Sequence, residues 1–489
     1  MSPFLVFAIL AGYFAALVLI SRLTSRGATT ETFFTANRQS PWYLVAFGMI
    51  GASLSGVTFI SVPGNVGKIG FGYFQIVLGY LLGYWFIIGV LLPLYYRLNL
   101  VSIYTYLLKR YGPFAHKTGA LFFMISRTIG SSLRLFLAAM VLQLFIFDTW
   151  NVPFFLTVTG TILLIWIYTF RGGIKTIVWT DTFQTTFLVS AVAISVVIIA
   201  QKLDFTFGSM MAAISEAGYD KIFYLDDFRS PLYFPKQFFS GAFIAITMTG
   251  MDQEIMQKNL TCRNLRDAQK NMFWFSLILV FVNLLFLTLG ALLYLYSHAK
   301  GLPIPEYSDE LYPRLALTEF GLLAGVFFVL GITASSYASS DSALAGLTTS
   351  FCIDFLNFDK KEESVRSRQK FIVHISFSIL FLIIILIFKE INNRSVIDAV
   401  LYAAGYTYGP LLGLFTFGLA SGRRVYDRLV PVVCVLSPFI SYIIDSNSES
   451  WLGGYQFGFE ILILNGALTF TGLALISRRS IANAAPSSR

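Results

Sequence analysis

Apolar stretches long enough to cross a bilayer recur along the whole chain. Each spans about 17–25 residues, the length that a transmembrane α-helix needs. Thirteen stretches are recognisable, centred near residues 12, 53, 84, 132, 160, 189, 245, 283, 337, 380, 408, 437 and 467. The chain has 489 residues, of which 56% are hydrophobic and only 12% charged, so a soluble domain could not bury its apolar surface. The sequence predicts an all-α polytopic membrane protein with about thirteen transmembrane helices.

Basic residues predict the orientation of these helices. With the N-terminus outside, the loops on the inner side carry most of the Arg and Lys residues, among them Arg97, Lys258 and Arg423. The positive-inside rule therefore favours an N-out/C-in topology. The net charge of +9 is then a topology signal and not a nucleic-acid-binding surface. We expect a multi-pass protein of the cell membrane whose partners are the lipid bilayer and a small-molecule substrate, with no nucleic acid and no obligatory protein partner.

A run of hydroxyl groups with one carboxylate, Ala334–Ala343, lies in the middle of the ninth stretch. Ser335, Ser339 and Ser342 are spaced i, i+4 and i+7, which places their oxygens on one helix face. Buried polar groups at membrane depth must find partners within the protein. Converging hard oxygens suit a small cation such as sodium. Alternatively, the serines bond back to carbonyls one turn earlier or ease helix packing.

Two stretches are interrupted by glycines and polar residues. The second contains Gly48, Gly51 and Gly56 followed by Pro63, and the seventh contains the run Thr247–Gln253. Each would open one of two five-helix repeats, and an odd number of helices requires the second repeat to insert inverted. Paired broken helices place free carbonyls at the bilayer centre, the usual site of a transporter. Glycines that merely allow close helix packing are the alternative.

This symmetry predicts a single membrane domain with a defined internal organisation. The predicted parts are a leading helix at 1–25, inverted repeats at 40–202 and 235–421, two C-terminal helices at 428–478 and a short cytoplasmic tail at 479–489.

Four segments resemble the sodium:solute symporter family, whose members carry proline, pantothenate, sialic acid, sugars, iodide or monocarboxylates with sodium. They are Gly51–Gly56 with Pro63-Gly64, the Gly172–Gln184 segment containing Trp179-Thr180-Asp181, Asp252–Lys258 with Asp267, and the serine run ending at Asp354. The resemblance extends over nearly the whole chain. It implies a leucine-transporter-type core of 5+5 inverted repeats with flanking helices, and sodium as the coupling ion.

The resemblance also implies a first sodium site between the second and ninth stretches. Carbonyls matching Gly51, Leu54 and Ser335 would coordinate the ion together with two adjacent hydroxyls. Aligned on Asp354, those hydroxyls match Ala338 and Ser339. Ala338 has no hydroxyl, so either the site has one side-chain oxygen fewer or Ser339 and Ser340 form the pair.

Some family members have a second sodium site, which the resemblance places at Asp181, Asp341 and Ser342. Two carboxylates would attract a cation strongly, or they could share a proton. A role of Asp181 in gating or ion exit and a structural pairing with a nearby cation are the alternatives.

Two arginines within the fourth stretch indicate the substrate. Arg127 and Arg134 lie seven residues apart on one helix face, and arginine suits bidentate recognition of a carboxylate. We therefore expect an anionic solute, such as a sugar acid like sialic acid, a monocarboxylate or an amino acid. The alternatives are snorkelling of Arg127 to the cytoplasmic edge and structural pairing of an arginine with Asp148, Asp181 or Asp341. The other candidate substrate-binding residues are Ser53, Thr58, Gln75, Thr249 and Gln253.

Other functions are compatible with this architecture. A sodium-independent facilitator, a sugar carrier or a transporter-like membrane sensor would share the fold. An enzyme is disfavoured because the sequence has no His-rich or Ser/His/Asp constellation. The three cysteines and three histidines have no metal-ligand spacing, so sodium is the metal ion that we expect.

Overall fold

The computed structural model describes residues 3–25, 30–145, 147–356, 358, 361–391 and 396–478. The predicted tail 479–489 lies outside the described residues. The first half of the chain forms helices α1 (Pro3–Thr24), α2 (Thr30–Thr35), α3 (Trp42–Ser53), α4 (Gly56–Ile69), α5 (Phe74–Phe86), α6 (Leu92–Arg97), α7 (Thr105–Arg110), α8 (Pro113–Phe145), α9 (Phe154–Lys202) and α10 (Phe207–Glu216). The second half forms α11 (Phe234–Ala245), α12 (Gln253–Asn259), α13 (Leu265–Ala299), α14 (Leu311–Thr318), α15 (Leu322–Ser350), α16 (Glu363–Ile391), α17 (Val396–Ala420), α18 (Val430–Ser446), α19 (Ser448–Trp451) and α20 (Ile461–Leu475).

Shorter turns extend or join these helices. Three π-helical segments continue α5, α11 and α15, namely Ile87–Leu91, Ile246–Gly250 and Phe351–Phe355. Short 3-10 turns occur at Ala36–Arg38, Gly70–Tyr73, Phe147–Trp150, Ser308–Glu310 and Asp427–Leu429. The two-residue strands β1 (Arg424–Val425) and β2 (Ser477–Arg478) pair antiparallel, a small departure from the predicted all-α fold.

Every predicted centre of an apolar stretch lies within an α-helix of the structure. Among the described residues, eight helices have the length and apolar composition needed to cross a membrane, and shorter apolar helices include α3, α20 and the first part of α9. The number of crossings and the N-out/C-in topology remain predictions.

The fifth and sixth predicted stretches follow each other within α9 without an intervening loop. Its two parts meet at Gly173, which has φ +52° and ψ −140°. A side chain there would be strained by this backbone conformation and would also clash, because a Cβ on Gly173 would lie 2.4 Å from Cδ2 of Phe33. The connection is thus a glycine-dependent break at which α2 packs closely.

Both predicted helix interruptions are present. The first separates α3 from α4 at Leu54 and Ser55, whose ψ angles of 74° and 174° are not helical. The second separates the π segment after α11 from α12 at Met251 and Asp252. These breaks interrupt the backbone hydrogen-bond ladder in the interior of the protein, where each freed group needs another partner.

The second break is closed by tyrosine hydroxyls and a capping carboxylate. Tyr95 and Tyr104 donate to the carbonyls of Gly250 and Met251 at 2.7 and 2.9 Å. Asp252 caps α12, because its Oδ1 accepts the backbone N–H of Glu254 at 2.9 Å. The carbonyls of Gly250 and Met251 and the N–H of Glu254 are therefore satisfied within the protein.

Candidate ion and solute site

The first break lies where α3, α9 and α15 pack closely. The last turn of α3 leaves the carbonyls of Gly51 and Leu54 without intrahelical partners, because α3 ends at Ser53. The N–H of Gly51 donates to Oγ1 of Thr185 on α9 at 3.0 Å, and a Cβ on Gly51 would lie 2.3 Å from that oxygen. Glycine at position 51 thus permits the close approach of α3 to α9.

The serine face of α15 lies against the start of α4. A Cβ on Gly56 would lie 2.4 Å from Oγ of Ser336 and 3.6 Å from Oγ of Ser335. The hydroxyls of Ser335 and Ser339 donate to the carbonyls of Ile332 and Ser336 at 3.0 and 3.1 Å. These are the bonds to carbonyls of the preceding turn that were the alternative interpretation of the serine run. A hydroxyl that donates in this way keeps its lone pairs free to coordinate a cation, so these hydrogen bonds are compatible with a sodium site.

Two further serine oxygens of α15 lack partners. The hydroxyls of Ser336 and Ser340 are fully buried and have no hydrogen-bond partner within the described part of the chain. Ala338 contributes no side-chain oxygen, and the sequence analysis did not single out Ser336. Buried, unsatisfied hydroxyl oxygens on the helix that packs against this break fit a small cation such as sodium.

The candidates for the second sodium site have other partners. Asp181 on α9 forms a buried ion pair with Lys258 on α12, with Nζ 2.5 Å from Oδ2. Asp341 accepts hydrogen bonds from Tyr168 and Ser342 at 2.8 and 3.1 Å. The placement of Lys258 in a loop is wrong, because it lies in helix α12, and its side chain is only 1% exposed. Of the alternatives for Asp181, the structure shows pairing with a nearby cation.

A cavity of about 100 Å³ lies beside the first break, and five predicted substrate-binding residues line it. They are Ser53, Thr58, Arg127, Arg134 and Thr249. Tyr73, Tyr80, Tyr84 and Asn283 contribute further polar atoms to its wall. The break and the lining are thus contiguous, as a shared ion and solute site requires.

Gln75 and Gln253 do not line this cavity. The Gln75 amide donates to the carbonyl of Leu232 at 3.1 Å and accepts the N–H of Tyr224 at 3.2 Å. The Gln253 amide accepts the N–H of Ile103 at 2.9 Å and donates to the carbonyl of Val101 at 2.8 Å. Both side chains hold loops in place. The sequence does not reveal this role, because a polar residue next to a predicted break could equally well line the cavity.

Arg127 reaches the cavity but is already paired. Its guanidinium forms a buried ion pair with Glu254 and lies 3.7 Å from Oδ2 of Asp252. Tyr408 on α17 donates to that same oxygen at 2.5 Å. Arg127 therefore neither snorkels to the membrane surface nor pairs with Asp148, Asp181 or Asp341.

Arg134 is half-buried in the wall of the same cavity. No hydrogen bond or ion pair joins it to a described residue, although the charges of Glu254 and Asp252 act on it from beyond ion-pair distance. Asn283 on α13, which sequence reasoning missed, also lines the cavity, and its buried Oδ1 has no hydrogen-bond partner within the described ranges. Arg134 is thus the arginine of this wall that has no ion pair among the described residues, in contrast to Arg127.

The family model described as "Sodium:solute symporter family" matches residues 33–425. The chain belongs to this family. The resemblance seen in the sequence is confirmed, and sodium is the coupling ion of the family.

Relatives of the chain within the family differ in their solutes. The sodium/sialic acid symporter SiaT of Proteus mirabilis is 23% identical over 460 residues, with 89% of each chain covered. The sodium-coupled monocarboxylate transporter 2 of Mus musculus is 24% identical, and the match covers 80% of this chain and 63% of that one.

Solved transporter structures share the fold of this family member. A Na⁺-coupled sialic acid symporter in a substrate-bound outward-open state superposes with a TM-score of 0.82 at 19% identity, covering 97% of this chain and 99% of that one. Mhp1, a nucleobase-cation-symport-1 family transporter, superposes with a TM-score of 0.55 at 13% identity, covering 91% and 94%. These similarities support the expected leucine-transporter-type fold, but not the predicted number of helices or their topology.

Proposed function

We propose that this chain is a carrier of the cell membrane that moves a small carboxylate-bearing solute into the cell together with sodium. The unpaired guanidinium of Arg134 is the observation that carries the anionic character of the solute. An intramembrane arginine is costly unless it is paired or faces a water-filled cavity. A solute carboxylate would supply the missing charge and accept two parallel hydrogen bonds from the guanidinium.

Arg127 provides an internal comparison for this argument. It lies two helical turns before Arg134 on α8, and its charge is met by Glu254. The contrast between a paired and an unpaired arginine on one helix face separates a structural role from a recognition role. We therefore assign recognition of the carboxylate to Arg134.

The rest of the wall suits a polar solute of modest size. Hydroxyls of Ser53, Thr58 and Thr249 and the side chain of Asn283 can bond to solute hydroxyl or amino groups. The volume of about 100 Å³ is well below the roughly 300–1,000 Å³ of pockets for drug-sized ligands. In this conformation the cavity suits a short monocarboxylate or a small amino acid, and a larger sugar acid requires the wall to open.

Sodium coupling follows from the position of the first site. Oxygens of Gly51 and Leu54 belong to the broken helix, and those of Ser335 and Ser339 belong to α15. Coordination by both groups would hold the broken helix against α15 and so stabilise the adjacent cavity wall. Solute and sodium then each favour the same conformation, which is thermodynamic coupling between their sites.

Release into the cell requires α12 to separate from its neighbours. On the predicted topology, α12 is the cytoplasmic half of the seventh segment. Ion pairs link it to α8 through Glu254 and Arg127 and to α9 through Lys258 and Asp181. We propose that these links keep the inner side closed while the cavity is loaded, and that they rearrange in alternating access.

Uptake into proteoliposomes tests this function. Purified protein would be assayed with radiolabelled lactate, proline, sialic acid and glucose, under an inward sodium gradient and under an equal potassium gradient. We expect sodium-dependent uptake of a carboxylate and none of glucose. Arg134→Gln should abolish that uptake and Arg134→Lys should retain a part of it, because lysine keeps the charge but not the bidentate geometry. Equal uptake in both gradients would indicate a facilitator, and glucose uptake a sugar carrier.

A further inference from the structure

Lys258 is a buried cation within the membrane protein's interior. It lies in α12, its side chain is 1% exposed, and its Nζ is 2.5 Å from Oδ2 of Asp181, which is equally buried. Taking a lysine and an aspartate out of water costs several kcal/mol per ion, which their mutual attraction repays only at close range. A lysine at this depth therefore needs a reason beyond helix stability.

The position of Lys258 coincides with the second sodium site that the family resemblance implies. That site would draw on Asp181, Asp341 and Ser342. The ammonium occupies one oxygen of Asp181, and both oxygens of Asp341 accept hydroxyl groups, from Tyr168 and Ser342. Oδ1 of Asp181 is left without a partner within the described ranges, but a hard cation needs a shell of several oxygens.

Charge leads to the same conclusion as geometry. The charges of Asp181 and Lys258 both act on the Asp341 carboxyl, so the three groups form one electrostatic cluster. A positive charge is already present in that cluster at ion-pair distance. The ammonium offsets part of the attraction that the two carboxylates would exert on a sodium ion, and its repulsion is weakly screened in these surroundings. The residues present do not fit a second sodium ion.

We infer that Lys258 is a tethered cation that takes the place of a second sodium ion, so that this carrier binds one sodium ion per chain. The inference rests on the proposed function, since it concerns the ion stoichiometry of that same transport. A tethered ammonium stabilises Asp181 as an ion would, but it cannot be released. Its charge is therefore not drawn from the sodium gradient, and solute accumulation is driven by one ion.

The pair also joins two helices that must separate. Glu254 and Lys258 are spaced i, i+4 on α12, and they pair with Arg127 on α8 and Asp181 on α9. Gly346 on α15 packs against this helix, since a Cβ there would lie 3.0 Å from the Cα of Glu254. In a carrier with a bound ion at Asp181, ion release could free α12. Here Lys258 is part of α12, so its ion pair with Asp181 has to break when α12 moves away from α9.

Equilibrium binding of ²²Na⁺ to purified protein, without any solute, tests the inference. We expect wild type to saturate at one sodium ion per chain with a Hill coefficient of about 1. Lys258→Met removes the ammonium and leaves Asp181 without a counter-charge, so we expect two ions per chain. Lys258→Met/Asp181→Asn should return to one. Lys270→Met, at an exposed position on α13, is the matched control and should leave the stoichiometry at one.

The outcomes separate this inference from the proposed function. Two ions bound to wild type would overturn the tethered-cation role and leave sodium coupling intact, and this measurement does not depend on a variant that folds. One ion bound to a folded Lys258→Met protein would overturn it equally. No sodium bound to wild type would overturn the proposed sodium coupling and the inference with it.

Discussion

The guanidinium of Arg127 on α8 and the carboxylate of Glu254 on α12 form a buried ion pair at the wall of the solute cavity. Both side chains are at most 4% exposed, and Asp252 next to the helix break lies 3.7 Å from the same guanidinium. The pair thus joins a continuous helix to the second half of a broken one.

Removing one partner of this pair should destabilise the protein strongly. Arg127→Gln leaves the buried carboxylates of Glu254 and Asp252 without this counter-charge, which costs about 3–5 kcal/mol, whereas Glu254→Gln leaves Arg127 with Asp252 alone and should cost less. We expect each single variant to lower the midpoint of thermal unfolding in detergent. The double variant Arg127→Gln/Glu254→Gln should lose less than the sum of the two, because each single variant already loses the attraction between Arg127 and Glu254.

Arg263→Gln is the matched control for this series. Arg263 is exposed, so its replacement should change the free energy of unfolding by no more than about 0.5 kcal/mol. Strict additivity of the two single effects would show that Arg127 and Glu254 do not stabilise each other.

Ser339→Ala should weaken sodium activation without affecting folding. A contact between a hydroxyl and a charged group contributes roughly 1.5–3 kcal/mol, so the sodium concentration for half-maximal uptake should rise by at least about tenfold. Sodium titration of uptake measures this shift. Ser378→Ala is the control, because Ser378 makes the same kind of bond to a carbonyl, that of His374 at 2.9 Å, but on α16. A similar shift in both variants would remove Ser339 from the first sodium site.

Gly51→Ala should force α3 away from α9. The added Cβ would lie 2.3 Å from Oγ1 of Thr185, and overpacking of this kind costs about 1–3 kcal/mol. We expect a lower unfolding temperature together with weaker sodium binding. Gly12→Ala on α1 should be tolerated, because nothing lies within 4 Å of a Cβ there. Thr185→Ala should partly rescue Gly51→Ala, and failure to do so would mean that Thr185 is not what limits the space.

The helices and their two interruptions were predictable from local signals. Apolar stretches of bilayer length and glycines next to polar residues need no knowledge of distant contacts. The break between α3 and α4 at Leu54 and the break before α12 at Asp252 were found for this reason. The division into two inverted repeats and the orientation of the helices in the membrane remain predictions.

Partners across helices were not predictable in the same way. Lys258 pairs with a residue 77 positions away, and its place near a helix end resembled a loop. Arg127 and Arg134 are both arginines on the same face of α8, yet Glu254 forms an ion pair with Arg127 and not with Arg134. Only the tertiary structure distinguishes a paired arginine from an unpaired one, so the sequence could supply candidate residues but not the partner of each.

Gln253 and Thr249 should separate a structural residue from a solute-binding one. Gln253→Ala removes the partners of the Ile103 N–H and the Val101 carbonyl, and each buried unsatisfied group costs about 1–3 kcal/mol. We therefore expect a lower unfolding temperature and an unchanged KM for the transported carboxylate. Thr249→Ala changes the cavity wall, so it should raise the KM and leave the unfolding temperature nearly unchanged. The reverse pattern, with KM raised by Gln253→Ala and not by Thr249→Ala, would place the solute nearer to α12 than the cavity indicates.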